Sequence, residues 1–168
     1  TNGEDGLELS GELKPYLQTE MFSRINGLVS ERCVQLGDHV KKGQLLATID
    51  TPDLDAEAAS AKSALISAEK HLMENKYQYN FAKQTYERFK NSSSDGAISR
   101  QDLDTKYNEF KTSEMNYLGA QADVDKAKQD LNRLTALQGY KRVVAPFDGV
   151  ISKYNIDAGA NVVSGGSS

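Results

Sequence analysis

Few side chains in this sequence could carry covalent or redox chemistry, and their spacing argues against it. Cys33 is the single cysteine, and the two histidines stand apart, His39 in a glycine-flanked turn and His71 inside a long helical tract. No Cys or carboxylate lies at the spacing of a metal site, and no glycine-rich phosphate loop precedes a helix. Cys33 alternates with Val34 on a strand pattern, which suits a small core or edge residue better than a nucleophile. Catalysis is therefore the weakest reading, and neither a metal nor a cofactor is expected. A net charge of −4 with no Lys/Arg cluster argues against nucleic acid. One cysteine forms no intramolecular disulfide, so it leaves the redox compartment open. No run of eighteen apolar residues exists and the first residues lack a signal-peptide pattern. An export signal or membrane anchor is expected to lie outside this chain or to be absent.

What remains is polar chemistry, and it has to be positioned by long elements. From Leu54, apolar or small residues recur at alternating steps of four and three: Leu54, Ala58, Ala61, Leu65, Ala68, Leu72, Asn75, Tyr79, Ala82, Tyr86 and Phe89. The rhythm returns at Ser99, Leu103, Lys106, Phe110, Ser113, Tyr117, Ala120, Val124, Ala127, Leu131 and Leu134. This heptad period predicts a coiled-coil seam, with Asn75 and Lys106 as register devices or near-exposed sites. Asn91-Ser-Ser-Ser-Asp-Gly-Ala97 between the tracts favours a turn over helix continuation. An antiparallel hairpin over residues 52–137 is expected, with helices about 52–90 and 99–137 and arms about 55 Å long at ~1.5 Å per residue. Thr51 and Ser99 are the expected N-caps, Pro52 suits the first helical position, and Asp102 completes a capping box. Gln138-Gly139 is the expected stop. Gly119 is the weak point inside the second helix, a place for close approach of the first helix or a slight bend. The outer faces read as polar and salt-bridged, without a large apolar patch.

Short β segments flank this hairpin. Leu7–Leu9, Tyr16-Leu17 and Met21–Ile25 read as strands, Asn26-Gly27 as a turn tolerant of positive φ, and Leu28 to Val34 and Gln44 to Ile49 as strands around the turn Gly37–Gly43. After the hairpin come a strand at Tyr140–Val144 and a turn at Asp148-Gly149. Laying Gly149 on Gly27 exposes a repeat offset by 122 residues, with Leu28-Val29-Ser30 on Val150-Ile151-Ser152, Val34 on Ile156, Gly37 on Gly159, Val40 on Val162 and Gly43 on Gly165. Two copies of one motif predict a sandwich with quasi-twofold symmetry. The second copy has no counterpart of Gln44 to Ile49.

Gly27-Leu-Val, Gly37-Asp-His-Val-Lys-Lys-Gly-Gln44 and Ala145-Pro-Phe-Asp-Gly-Val150 closely resemble the split biotinyl/lipoyl-like domain of HlyD-like periplasmic adaptors, the membrane fusion proteins of tripartite efflux pumps. The resemblance implies an α+β chain: a lipoyl-like (barrel-sandwich hybrid) β-sandwich made from two half-motifs at 14–51 and 138–168, interrupted by the coiled-coil hairpin. Residues 1–13 would be a leading segment, with a strand around Leu7 to Leu13 belonging to a β-barrel domain not otherwise evident. Such proteins sit in the periplasm attached to the inner membrane and bridge an RND or ABC transporter and a TolC-type outer-membrane duct. They self-associate as a ring, trimeric or hexameric.

Many family members carry at the tip an Arg, a Leu four residues on and a Ser seven further, which dock on the duct. Arg88 and Ser99 match the first and third positions, Ile98-Ser99-Arg100 follows the pattern, and Ser92 replaces the Leu, with Phe89 as a substitute apolar contact. The partner-binding residues implied are Arg88, Phe89, Ser92, Ile98 and Ser99. A lipoyl or biotin carrier needs a Lys in the tight turn joining its halves; here the hairpin is inserted at that junction, and Lys41 and Lys42 read as a solvated turn. The resemblance points to export of drugs or other small molecules, with a type I secretion adaptor or a plain coiled-coil scaffold as the alternative.

Overall fold

The computed structural model describes residues 18–153 and the backbone of residues 161–162. Strands β1 (Gly27–Arg32), β2 (His39–Val40) and β3 (Leu45–Asp50) precede helices α1 (Pro52–Ser93) and α2 (Arg100–Gly139). Strands β4 (Arg142–Val144), β5 (Gly149–Val150) and β6 (Asn161–Val162) follow them. A four-stranded sheet has the order β4-β3-β1-β6, and β2 pairs with β5 in a second sheet. The expected strands at Leu7–Leu13 and Tyr16-Leu17, and the repeat partners Ile156, Gly159 and Gly165, lie outside the described residues.

The internal repeat is written into the pairing itself. Gly27 pairs with Val162 and Leu28 with Asn161 in one sheet. In the other, Val40 pairs with Gly149 and His39 with Val150. Moving each residue by the repeat offset turns the first set of pairs into the second, so each half supplies the strand that the other half's strand needs. Between the halves, Gly37 N–H donates to Ile151 O at 2.8 Å and Ile151 N–H returns a bond to Asp38 O at 3.0 Å. Gly37 and Gly43 take φ of 89° and 82°, the left-handed conformation in which a side chain is disfavoured. Lys41 and Lys42 are exposed in this turn, and the Lys42 N–H is held by Asp148 Oδ1 at 2.6 Å.

Two small apolar clusters form the core. Ile25, Val29 and Ile49 make one, joined by Leu54, Leu137 and Val143; Val34, Val40, Leu46 and Ala145 make the other, joined by Val143 and Ile151. Leu54 and Leu137 come from the two ends of the hairpin, so the first cluster welds the helices to the sheet. Cys33 is exposed, with its N–H bonded to Leu46 O, while Val34 next to it is buried.

Several local expectations need correction. Met21 to Ile25 is not a strand; Ser23 Oγ bonds to the backbone around Ile25, bending the chain so that Ile25 alone is buried. Gly27 is not a positive-φ turn residue but a strand residue at a close approach, where a methyl would overlap Asp50 O and Ile49 Cγ2. Thr51 occupies the N-cap position of α1 with no capping bond, its Oγ1 buried and without a partner among the described residues. α2 ends at Gly139 as expected, but through a right-handed Tyr140 whose N–H reaches Leu137 O and Gln138 O, not through a left-handed glycine. Gly119 faces open space and gives α1 no approach.

The seam itself follows the heptads. Every residue expected in it is buried or half-buried except Ser99, which stands at the helix start. Tyr79 stacks on Phe110 at 5.7 Å and on Tyr117 at 5.4 Å, and Tyr86 on Phe110 at 5.7 Å, so aromatic rings alternate between the arms. Asn75 satisfies its own amide by donating from Nδ2 to His71 O at 2.8 Å. Lys106 turns its ammonium outward to Glu109 at 3.0 Å. The outer faces are less polar than expected: Tyr77 and Phe81, one turn apart on α1, are 68% and 70% exposed.

Candidate partner-docking site at the hairpin tip

The hairpin is held rigidly at one end and presents its other end freely. At the base, one residue separates β3 from α1, and Tyr140 and Lys141 alone separate α2 from β4. Asp55 in the first turn of α1 accepts from Gln138 Nε2 and from Lys141 Nζ, both at 2.7 Å. The Lys141 ammonium, then the Gln138 amide, hold the Asp55 carboxyl below the usual carboxylate range. Ile49 N–H bonds to Lys141 O at 2.8 Å, carrying the sheet ladder into the joint. Short joints, an apolar weld and a polar clamp join the arms to the sheet.

At the far end, the serine cluster ends α1 by the local bonding its composition predicts. Ser93 Oγ donates to Lys90 O at 2.7 Å and Ser94 Oγ to Asn91 O at 2.8 Å, diverting carbonyls from helix continuation. Asp95 N–H and Gly96 N–H fold back to Ser92 O and Ser93 O, and Gly96 takes φ +73° to reverse the chain. Ser99 starts α2 with an extended backbone, its Oγ accepting from Asp102 N–H at 3.1 Å. That is the forward bond of the expected capping box.

Of the five residues assigned to docking, Arg88 is exposed and has no ion-pair partner among the described residues. Ser99 is exposed but already engaged as a cap. Ser92 and Ile98 are half-buried on either side of the turn. Phe89 is the last aromatic of the seam, half-buried under Lys106, whose Nζ lies 5.6 Å from its ring centroid. The tip segment thus carries an exposed guanidinium, a hydroxyl cap and two half-buried apolar residues, Phe89 and Ile98. Among the described residues there is no cluster of three or more potential metal ligands, and no helix is long and apolar enough to cross a membrane.

Sequence reasoning missed the Asp55–Gln138–Lys141 clamp, because residues so distant in sequence meet only after the hairpin closes. It also missed Lys106 as the cover of Phe89, although a Lys at a seam position beside an aromatic level was visible.

Against known proteins, the profile of the RND MFP barrel-sandwich hybrid domain matches residues 18–168. The chain belongs to the RND membrane fusion proteins. Among its relatives, macrolide export protein MacA of Yersinia pestis is 26% identical over 92% of this chain and 42% of that protein. Multidrug resistance protein MdtE of Escherichia coli K12 is 31% identical over 94% of this chain and 37% of that protein. The crystal structure of MacA from Actinobacillus actinomycetemcomitans superposes with a TM-score of 0.80 at 27% identity, covering 84% of this chain and 44% of that one. The chain spans about two fifths of the length of the membrane fusion proteins it matches. The barrel-sandwich hybrid, formed from two half-motifs around the hairpin, is the fold that the resemblance to the adaptor family implies.

Proposed function

We propose that this chain is the barrel-sandwich and hairpin portion of a periplasmic adaptor in a tripartite efflux pump. The adaptor bridges an inner-membrane transporter of RND or ABC type and a TolC-type outer-membrane duct, and it supports export of drugs or other small molecules. Copies surround a common axis as a ring, trimeric or hexameric, and the assembly is attached to the inner membrane from the periplasmic side. The chain performs no catalysis: the transporter supplies the energy, and the adaptor supplies reach and transmitted contact.

The observation that carries this reading is the contrast between a locked base and a free tip. A hairpin welded by Leu54 and Leu137 and clamped by Asp55 moves with its sheet, so a displacement of the β unit arrives at the tip about 60 Å away at ~1.5 Å per residue. There Arg88 offers an uncompensated charge, and Ser92, Ile98 and Ser99 flank it around the turn, with Phe89 backing the contact from the seam.

A photoreactive residue at Ser92 in the full-length protein, expressed in its own cells, tests the docking. Capture of an outer-membrane duct supports the adaptor reading. Capture of nothing but the adaptor's own copies removes the tip residues from the site. Loss of protein secretion instead of drug resistance in Arg88→Asp would favour a type I secretion adaptor.

A further inference from the structure

Four stretches of chain converge at the root of the hairpin. The start of α1 arrives as Leu54-Asp55, the end of α2 as Leu137-Gln138 and the joint to β4 as Tyr140-Lys141. The fourth is the stretch 18–26 that leads into β1, and it contains no helix or strand. The first three are tied together by short links, the apolar weld and the Asp55 clamp. The lead-in is held in two different ways. Ile25, 5% exposed, packs in the cluster that Leu54 and Leu137 complete. Beside it, the Arg24 guanidinium lies over the Tyr140 ring, its Cζ 5.1 Å from the centroid, and Arg24 Nη1 donates to the Tyr140 hydroxyl at 3.2 Å. Ser23 shapes the elbow between them: its hydroxyl donates to Ile25 O at 2.5 Å and accepts from Ile25 N–H at 3.3 Å, with Arg24 exposed and Ile25 buried.

The two holds differ in strength. Ile25 is an apolar anchor removed from water, which comes out only when its cluster opens. The Arg24–Tyr140 contact lies at the surface, where Tyr140 is 40% exposed. A cation–π contact at an exposed site favours the closed form by roughly two- to fivefold. The hydrogen bond beside it lies at the long end of the usual range. Contacts of that size set a preferred direction without locking it. Tyr140 is also the residue that ends α2, its N–H bonded to Leu137 O and Gln138 O. Its backbone therefore belongs to the last turn of α2, while its ring reaches the lead-in. A pull on residues 18–24 is felt first at a ring that α2 carries.

We propose that Arg24 and Tyr140 form a surface latch that sets the angle between residues 18–24 and the hairpin, with Ile25 as the pivot. The latch opens and recloses while the Ile25 cluster stays intact. Opening lets residues 18–24 turn about Ile25 and leaves the Asp55 clamp and the seam unchanged, so the direction of the arms relative to the lead-in is adjusted at one place. The device is intramolecular and stands whether or not the adaptor reading does.

The test uses the full-length protein in a cysteine-free background (Cys33→Ser), with spin labels at Thr19→Cys and Gln129→Cys. Dilution with unlabelled protein restricts pulsed electron resonance to distances within one chain. With the native latch, a main distance and a minor, broader population are expected. Arg24→Ala and Tyr140→Leu should each raise the minor population by about two- to fivefold. The double variant should go no further than either single one, the non-additivity of a shared contact. Tyr140→Phe keeps the ring and loses the hydroxyl, and should stay nearer the native distribution. A native distribution in Arg24→Ala overturns the latch, because Ile25 alone then fixes the stretch. A shift in Tyr140→Leu that Arg24→Ala does not reproduce, or additive shifts in the double variant, overturns it as well and leaves the ring a packing role. Circular dichroism on the same samples should show native helix content, and a shift accompanied by lost helix signal refutes the latch in favour of unfolding at the root.

Discussion

The base and the tip of the hairpin are built from different interactions, and the difference shows how one molecule can be stiff and adaptable at once. At the base, contacts join residues far apart in sequence: Leu54 and Leu137 on the Ile25–Val29–Ile49 cluster, and Asp55 on Gln138 and Lys141. At the tip, the bonds that shape the turn are local, spanning three or four residues through serine hydroxyls and the Gly96 reversal. Changes at the base should therefore propagate through the fold, while changes at the tip should alter recognition and leave the fold alone.

The largest effect should come from the base cluster. Ile49→Ala removes the most buried large side chain, at 2% exposure, and should cost about 2–5 kcal/mol of stability in urea melts. Midway along the arms, Tyr79→Ala removes a ring stacked on both Phe110 and Tyr117 and should cost about 1–3 kcal/mol; an unchanged midpoint would refute the aromatic ladder. At the tip, Ser99→Ala should cost about 1 kcal/mol through the lost bond to Asp102 N–H. Arg88→Asp should leave stability within about 0.5 kcal/mol, as for an exposed site, yet abolish the Ser92 crosslink to the duct.

At the base, Asp55→Asn should have a modest effect whose pH dependence sharpens the comparison. A carboxyl held below its ordinary value of about 3.9 contributes stability above that pH and loses it as pH falls through the lowered value. Wild type and Asp55→Asn should thus differ in melting temperature at pH 7 and converge in strong acid. A difference that persists there would mean that Asp55 acts through packing and not through Lys141.

Much of this was legible before the structure because the seam and the repeat are periodic signals. Heptad steps select the face that meets a partner whatever the partner's identity, so even the polar members Asn75 and Lys106 fall on the seam and resolve their polarity locally. The repeat predicted which strands correspond, and the reciprocal pairing of β1 with β6 and β2 with β5 follows from it. Two rules for single residues failed for tertiary reasons. The Asn26-Gly27 dipeptide predicts a turn, but the smallness of Gly27 answers to Asp50 and Ile49 across the sheet. Thr51 has the right type and place for a cap, but its hydroxyl is buried at the joint. At the tip, composition showed the turn and the cap, whereas the place of Phe89 beneath Lys106 depends on the register of the two arms.

The one-residue link from β3 to α1 and the two-residue link from α2 to β4 also bear on how the chain reaches its native state. About ninety residues separate the paired strands β3 and β4, and closing a flexible loop of that length costs on the order of 3 kcal/mol more than closing a tight turn needs. A hairpin that nucleates at Gly96 and zips downward delivers Thr51 and Tyr140 side by side, so the strands meet as near neighbours. The arms then act as a clip for the sheet as well as its extension. A seam substitution near the tip, such as Tyr86→Ala, should slow the appearance of β structure in refolding, although no strand lies within tens of ångströms of it.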